Sequence, residues 1–183
     1  MPVKRVLIIL ADGFEEIEAI TPFDILKRAG LDVVLAGLSS REIKSARGAK
    51  FVTEKTLSGI KGVFDALILP GGAAGADNLA KSEELTSLIK KTHEEGRIIA
   101  AICASPAVVL VSTGVLKGKK ATCYPGMEKE FSQDIKYANE PVVSDGNIVT
   151  SRGPATASEF GFKLAEILAG KEKAQSVREE MLF

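Results

Sequence analysis

Ile98-Ile99-Ala100-Ala101-Ile102-Cys103-Ala104-Ser105-Pro106 is the stretch from which the fold can be read. Its first five residues are an unbroken run of β-branched and small apolar side chains, the pattern of a strand buried on both faces. The run stops at Cys103. Ser105 and Pro106 then announce a helix, because proline suits a first turn, and Ala107 to Val111 carries it on. A cysteine on a strand-to-helix turn sits on a sharp bend with its sulfur at the mouth of the sheet. That is the arrangement of a nucleophile elbow, although the G-x-S-x-G spelling is absent. The free N–H groups and positive dipole end of the following helix would favour thiolate over thiol. The competing interpretation is a small core residue, since unpaired cysteine is among the most buried residue types.

Working outward, the same alternation repeats. Val6 to Leu10 reads as a buried strand, Ala11-Asp12-Gly13 turns it, and Glu15 to Arg28 follows as a helix closed by Gly30. Asp32 to Ala36 is a second strand, which makes the opening a βαβ unit. Ile43 to Thr53 is polar and mixed, and is expected to form a small irregular strand pair. Ala66 to Leu69 is another buried strand, ended by Pro70-Gly71-Gly72. A short helical segment and a helix from Ser82 to Glu95 then return the chain to the central strand. Beyond it come a short strand near Ala121-Thr122 and a helical turn around Glu128. Val142-Val143 and Ile148-Val149 flank Ser144-Asp145-Gly146-Asn147, which has hairpin chemistry. Ser151-Arg152-Gly153-Pro154 leads into a last helix closed by Gly170, with a charged tail after it. Strands alternating with helices imply an α/β fold, a doubly wound and mostly parallel sheet sandwiched by helices. In such sheets ligands bind outside the carboxyl ends of the strands. Four loops fall on that edge: Ala11 to Glu18, Pro70 to Gly75, Cys103 to Pro106 and Ser151 to Pro154.

The 183 residues fit one domain over 1–183, and Lys+Arg and Asp+Glu are both 24. A balanced charge leaves no electrostatic footprint for specific nucleic-acid binding or a membrane surface. Two cysteines do not make a disulfide framework. Met1 to Arg5 runs straight into the first strand without a signal-peptide core, so a cytoplasmic protein is expected. The single histidine, His93, lies at a solvated helix end on the wrong side of its strand to pair with Cys103, and one His with two Cys does not suit zinc. No metal and no cofactor are implied.

The groups available for chemistry lie on the four loops. Glu15, Glu16 and Glu18 fall in or near the first turn of the first helix, where the macrodipole favours carboxylates for structural reasons alone. At least one should turn into the cleft, and spacing does not choose which. A carboxyl beside a thiolate would be raised in pKa and become a proton donor. Gly71-Gly72 lets the backbone approach a ligand and aim N–H groups at a developing oxyanion, or is an ordinary loop.

These pieces in this order resemble the ThiJ/PfpI superfamily, and within it the branch of bacterial YajL and human Parkinson disease protein seven. The carrying stretches are Lys4 to Ala11 with Gly13, Glu15-Glu16 and Glu18; Leu69-Pro70-Gly71-Gly72; Ala100-Ala101-Ile102-Cys103-Ala104; and Thr150-Ser151-Arg152-Gly153-Pro154. The resemblance runs nearly end to end. It implies a flavodoxin-like fold, a homodimer, and Cys103 as an acidic, oxidation-prone nucleophile. It selects Glu18 as partner of that sulfur. It suggests the backbone at Gly72 and Ala104, with Gly71 in the same loop, as oxyanion donors, and it aligns Arg28 and Arg47 with basic residues near the dimer-side mouth of the pocket. Relatives classed as intracellular peptidases carry His directly after the cysteine; Ala104 stands there in this chain, which argues against proteolysis. Where the human-type branch has His-Pro, this chain has Cys123-Tyr124-Pro125, and Cys123 is either a second thiol near the pocket or a small core residue.

Two functions fit the same residues. One is a cofactor-independent enzyme on small α-oxoaldehydes, either a glutathione-independent glyoxalase making lactate from methylglyoxal or a deglycase of glycated side chains, with Cys103 attacking and Glu18 moving protons. The other is a redox sensor or chaperone in which Cys103 is oxidised to sulfinic acid.

Overall fold

The computed structural model describes residues 3–183; Met1 and Pro2, part of the expected lead-in, lie outside the described residues. The strands and helices follow in the order β1 (Arg5–Leu10), α1 (Glu16–Arg28), β2 (Asp32–Gly37), β3 (Glu42–Lys44), β4 (Lys50–Val52), β5 (Lys55–Thr56), β6 (Ala66–Leu69), α2 (Ala73–Ala80), α3 (Glu83–Glu94), β7 (Ile98–Ile102), α4 (Val111–Thr113), β8 (Lys120–Ala121), β9 (Lys136–Tyr137), β10 (Val142–Asp145), β11 (Ile148–Ser151), α5 (Ala157–Ala169) and α6 (Lys171–Glu180).

Seven strands form one sheet in the order β10-β11-β7-β6-β1-β2-β5, parallel throughout except for the β10–β11 hairpin. The mostly parallel α/β sheet expected from the sequence is the one observed. Its central strands show why: β6 is buried at every position, β1 and β7 at every position after their first residue. Such runs need helices on both faces. They are supplied by α1 packed with α5, which in turn carries α6, and by α2 packed with α3 and with the turn after Cys103. Gly161 lets α5 settle onto α1, because a Cβ there would stand 2.7 Å from Ile25 Cδ1 and 3.2 Å from the Pro22 Cα. Pro22 lies inside α1 and, having no N–H, leaves the Glu18 carbonyl without its helical donor.

The order of strands places the site. From β1 the chain moves outward to β2 and β5, then returns to the other side of β1 as β6 and β7. The winding reverses at β1 and β6, which opens a crevice beyond their carboxyl ends. Glu18 follows β1, Gly71 and Gly72 follow β6, and Cys103 follows β7.

Two expectations are corrected. The charged tail after Gly170 is a helix, α6, anchored by Ala174 and Val177 at i, i+3 spacing on one buried side. The segment after Cys103 is not an ordinary α-helix: Pro106–Leu110 is a π-helical turn in which Val111 N–H reaches Pro106 O, and only Val111–Thr113 continues as α4 before Gly114 ends it in a left-handed conformation. No helix of the described residues is long and apolar enough to cross a membrane.

Candidate active site at the ends of the central strands

Cys103 sits on the bend with φ +65°, a conformation that non-glycine residues avoid at a cost of about 1 kcal/mol or more. The neighbouring backbone holds it there from two sides. Cys103 N–H donates to Ser151 O at 2.9 Å, and Tyr124 N–H donates to Cys103 O at 2.8 Å. Ser105 Oγ donates to Pro70 O at 2.6 Å, tying the turn after β7 to the loop after β6. The sulfur accepts hydrogen bonds from the backbone N–H groups of Gly72 and Ala104. Cys103 is 9% exposed.

Of the three early glutamates, Glu18 is the one turned inward. It has no exposure, its Oε2 accepts the Gly71 N–H at 2.8 Å, and its carboxyl hydrogen-bonds with the Cys103 thiol. Oε1 has no hydrogen-bond partner among the described residues. Glu16 points the other way, to Ser45 Oγ and to Arg47 N–H, as its position two residues earlier on a helix requires. Gly71 is small because it must be: a Cβ would lie 2.6 Å from Glu18 Oε2 and 2.7 Å from Cys103 Cβ. Gly72, at φ +87°, has no room for a side chain against Gly13 O.

Burial governs the electrostatics. It pushes the Glu18 carboxyl up to about 7, against the hydrogen bonds from Cys103 and Gly71. It also pushes the Cys103 thiol up to about 12, and the negative Glu18 carboxylate adds to this, while the Gly72 and Ala104 amides pull down. Burial thus opposes the acidic thiol expected from a helix terminus. The π turn is too short to supply a strong dipole, and desolvation outweighs the two amides. The two groups titrate as a pair, losing a first proton near pH 7 and a second only far above it. The single charge in between is shared across the contact, with the Gly72 and Ala104 amides at the sulfur and the Gly71 amide at the carboxyl.

Alongside lies a cavity of 590 Å³. Lys44, Ser45, Ala46 and Arg47 form one side of it, and Glu15 and Gly72 belong to the other. Gly72 is thus shared between the sulfur and the cavity. Arg47 Nη2 is 3.5 Å from Glu15 Oε2, and its side chain is 78% exposed.

Residues 4–167 match the model of the DJ-1/PfpI family. The chain belongs to that family. It is 36% identical over 185 residues to the Parkinson disease protein 7 homolog of Danio rerio, covering 98% of this chain and 97% of that protein. It is 39% identical over 177 residues to the glutathione-independent glyoxalase DJR-1.2 of Caenorhabditis elegans, covering 95% and 94%. The crystal structure of Drosophila melanogaster DJ-1beta superimposes with a TM-score of 0.95 at 41% identity, covering 99% of this chain and 98% of that one. The branch inferred from the motifs, and the flavodoxin-like fold it implies, are those found.

Within this member of the DJ-1/PfpI family, not every residue named from the sequence converges. Cys103, Glu18, Gly71, Gly72 and Ala104 come together, but the Gly71 amide is engaged by Glu18 and is not a free oxyanion donor. Arg47 reaches the mouth. Arg28 does not reach the site of its own chain: it lies in the last turn of α1, ten residues and about 15 Å along the axis from Glu18, bonded to Asp24 at 2.8 Å and Glu180 at 2.5 Å. Cys123 has no exposure, and burial followed by the Glu128 charge pushes its thiol up to about 12, so the small core residue describes it better than a second accessible thiol. Sequence reasoning missed Tyr124 and Ser105 as supports of the bend. Tyr124 had no available signal, since it acts through its backbone. Ser105, next but one to the cysteine and wholly buried, had one in its position.

Proposed function

We propose that the protein is a glutathione-independent glyoxalase that converts methylglyoxal and related small α-oxoaldehydes to 2-hydroxy acids without a cofactor. The observation that carries this is the Cys103–Glu18 contact: a nucleophile and a proton carrier raised to about 7 in one buried pair, with two backbone donors at the sulfur. A carboxyl near 7 both accepts and returns protons at neutral pH. The C. elegans relative that bears the glyoxalase name supports the same class.

The steps follow from the geometry. The Cys103 sulfur adds to the aldehyde carbon, and its proton is held by Glu18. The new hemithioacetal oxygen lies toward the Gly72 and Ala104 N–H groups, which stabilise the charge developing on it. Glu18 hands the thiol's proton to that oxygen and, as a carboxylate again, moves the proton of the former aldehyde carbon to the ketone oxygen, giving an enediol. Transfer of the proton on the former aldehyde oxygen to the former ketone carbon then leaves a thioester of the 2-hydroxy acid. Water cleaves the thioester and restores the thiol. The aldehyde carbon is oxidised and the ketone carbon reduced, so no external electron carrier is needed. Transfer to Cys103 of the dicarbonyl from a reversible adduct on another side chain would free that side chain, which makes deglycase activity an accessible branch of the same chemistry. We further propose that residues 1–183 act as one domain, in the cytoplasm and as a homodimer; exposed apolar side chains such as Ile17 (50%) and Val52 (71%) are of the kind a subunit contact covers.

Incubation with methylglyoxal in the absence of glutathione, with lactate as readout, tests the reading. Wild type should form lactate, and Cys103→Ser and Glu18→Gln should not. Turnover retained by Cys103→Ser ends it.

A further inference from the structure

The turn joining β3 to β4 is closed on itself, Ser45 N–H donating to Ala49 O at 2.9 Å and Gly48 N–H to Ser45 O at 3.1 Å. It is also stitched to the loop between β1 and α1. Gly13 N–H donates to Lys44 O at 2.7 Å, Lys44 N–H to Asp12 Oδ1 at 2.7 Å, and Ala46 N–H to Phe14 O at 2.8 Å. Two further ties meet on one atom: Glu16 Oε1 accepts Arg47 N–H at 3.1 Å and the Ser45 hydroxyl. Against the burial that pushes it up, the Ser45 hydroxyl and the Arg47 amide hold the Glu16 carboxyl below its ordinary value. Glu16 therefore clamps the turn as an anion.

This turn is the wall of the 590 Å³ cavity that faces Glu15 and Gly72. Glu16 itself points away from Glu18 and Cys103, and its bonds are to the turn. We propose that Glu16 is a positioning residue for the oxoaldehyde reaction, holding the Lys44–Arg47 wall so that a small dicarbonyl entering over Gly72 is ordered for attack. This rests on the glyoxalase reading. Loss of the clamp should loosen substrate ordering and leave the nucleophile pair alone.

The test separates KM from kcat in Glu16→Ala, Glu16→Gln and Ser45→Ala, with iodoacetamide alkylation of Cys103 measured in parallel. Removing a charge-assisted acceptor should raise KM for methylglyoxal about tenfold in Glu16→Ala, with kcat and alkylation rate within about twofold of wild type. Glu16→Gln keeps an accepting oxygen and should recover most of the affinity. Ser45→Ala breaks the same bond from the other side and should raise KM about threefold, which keeps the test valid if Glu16→Ala folds poorly. Faster hydrogen exchange at the Arg47 amide in Glu16→Ala would support the clamp. An unchanged KM in both alanine variants, or alkylation that slows in step with kcat, overturns the proposal. A wild type that makes no lactate removes the glyoxalase reading and this inference with it; a wild type that turns over while the alanine variants keep its KM removes the inference alone.

Discussion

Gly71 donates its amide hydrogen to Glu18 Oε2 at 2.8 Å, and this bond fixes how a carboxyl with no exposure meets the Cys103 sulfur. The residue contributes a direction. Its lack of a side chain leaves space for both partners, and its amide holds Oε2 so that the carboxyl stays beside the sulfur.

Gly71→Ala should therefore damage chemistry more than folding. The added Cβ falls 2.6 Å from Glu18 Oε2 and 2.7 Å from Cys103 Cβ, so one of them must move. A displacement of about 1 Å at a reacting group costs on the order of 10²-fold in rate. The expected outcome is a folded protein whose lactate formation and Cys103 alkylation both fall by about that factor. Wild-type alkylation in the variant would show that Gly71 does not orient Glu18.

The raised Glu18 carboxyl makes stability depend on pH. The unfolded chain releases this proton near the ordinary value of 4.5, whereas the folded chain keeps it until about 7. Between those values the native state binds more protons, so stability falls as pH rises, and it levels off above 7. At about 1.4 kcal/mol for each tenfold change in proton affinity, the loss is about 3 kcal/mol. Urea unfolding across pH 4.5 to 8 should show this slope in wild type and a flatter profile in Glu18→Gln.

Reactivity should run in the opposite sense. The pair gains its negative charge as it loses a proton near pH 7, and only the charged pair presents a thiolate or a thiol with a base beside it. Iodoacetamide alkylation of Cys103 should climb through pH 7 and flatten above it. In Glu18→Gln the inflection near 7 should vanish. An inflection that survives the substitution would assign the titration to another group.

Much of this was legible in the chain. The unbroken apolar runs of β1, β6 and β7 report burial on both faces, and the turn residues after them name the loops that form the crevice. What was hidden depends on direction and distance. The engagement of the Gly71 amide by Glu18 spans 53 positions, and the pairing of Arg28 with Glu180 spans 152, and no local pattern encodes either. The burial that opposes an acidic thiol was hidden as well, because the motif shows a helix start and not the packing of Cys103 and Glu18 against one another. The apolar run Pro106 to Leu110 reads as an ordinary helix, since a π turn differs in hydrogen bonding and not in composition. Helix α6 could have been found, because Ala174 and Val177 mark a buried side within a charged segment.

The seam between α1 and α5 should be intolerant of added volume. Gly161→Ala would place a methyl 2.7 Å from Ile25 Cδ1 and 3.2 Å from the Pro22 Cα, and the second of these is backbone that cannot rotate away. Overpacking of this kind costs about 1–3 kcal/mol. Thermal unfolding should show the loss, with the pH dependence of Cys103 alkylation unchanged because the seam does not touch the pair.

Peroxide should discriminate sharply between the two cysteines. Oxidation needs access and thiolate character together. Cys103 has both, with 9% exposure, two amide donors and a share in the charge of the pair above pH 7. Cys123 has no exposure and a thiol pushed up by burial and by Glu128. Mild peroxide should add two oxygen atoms to Cys103 and leave Cys123 unmodified, and peptide mass spectrometry reads this directly. A protonated Glu18 is placed to hydrogen-bond the sulfinate, so Glu18→Gln should change the yield of that product. Since a sulfinate cannot add to an aldehyde, lactate formation should disappear in proportion to the oxidised fraction. Equal oxidation of both cysteines would show that burial does not control their chemistry, and lactate formation that persists in fully oxidised protein would place the nucleophile elsewhere.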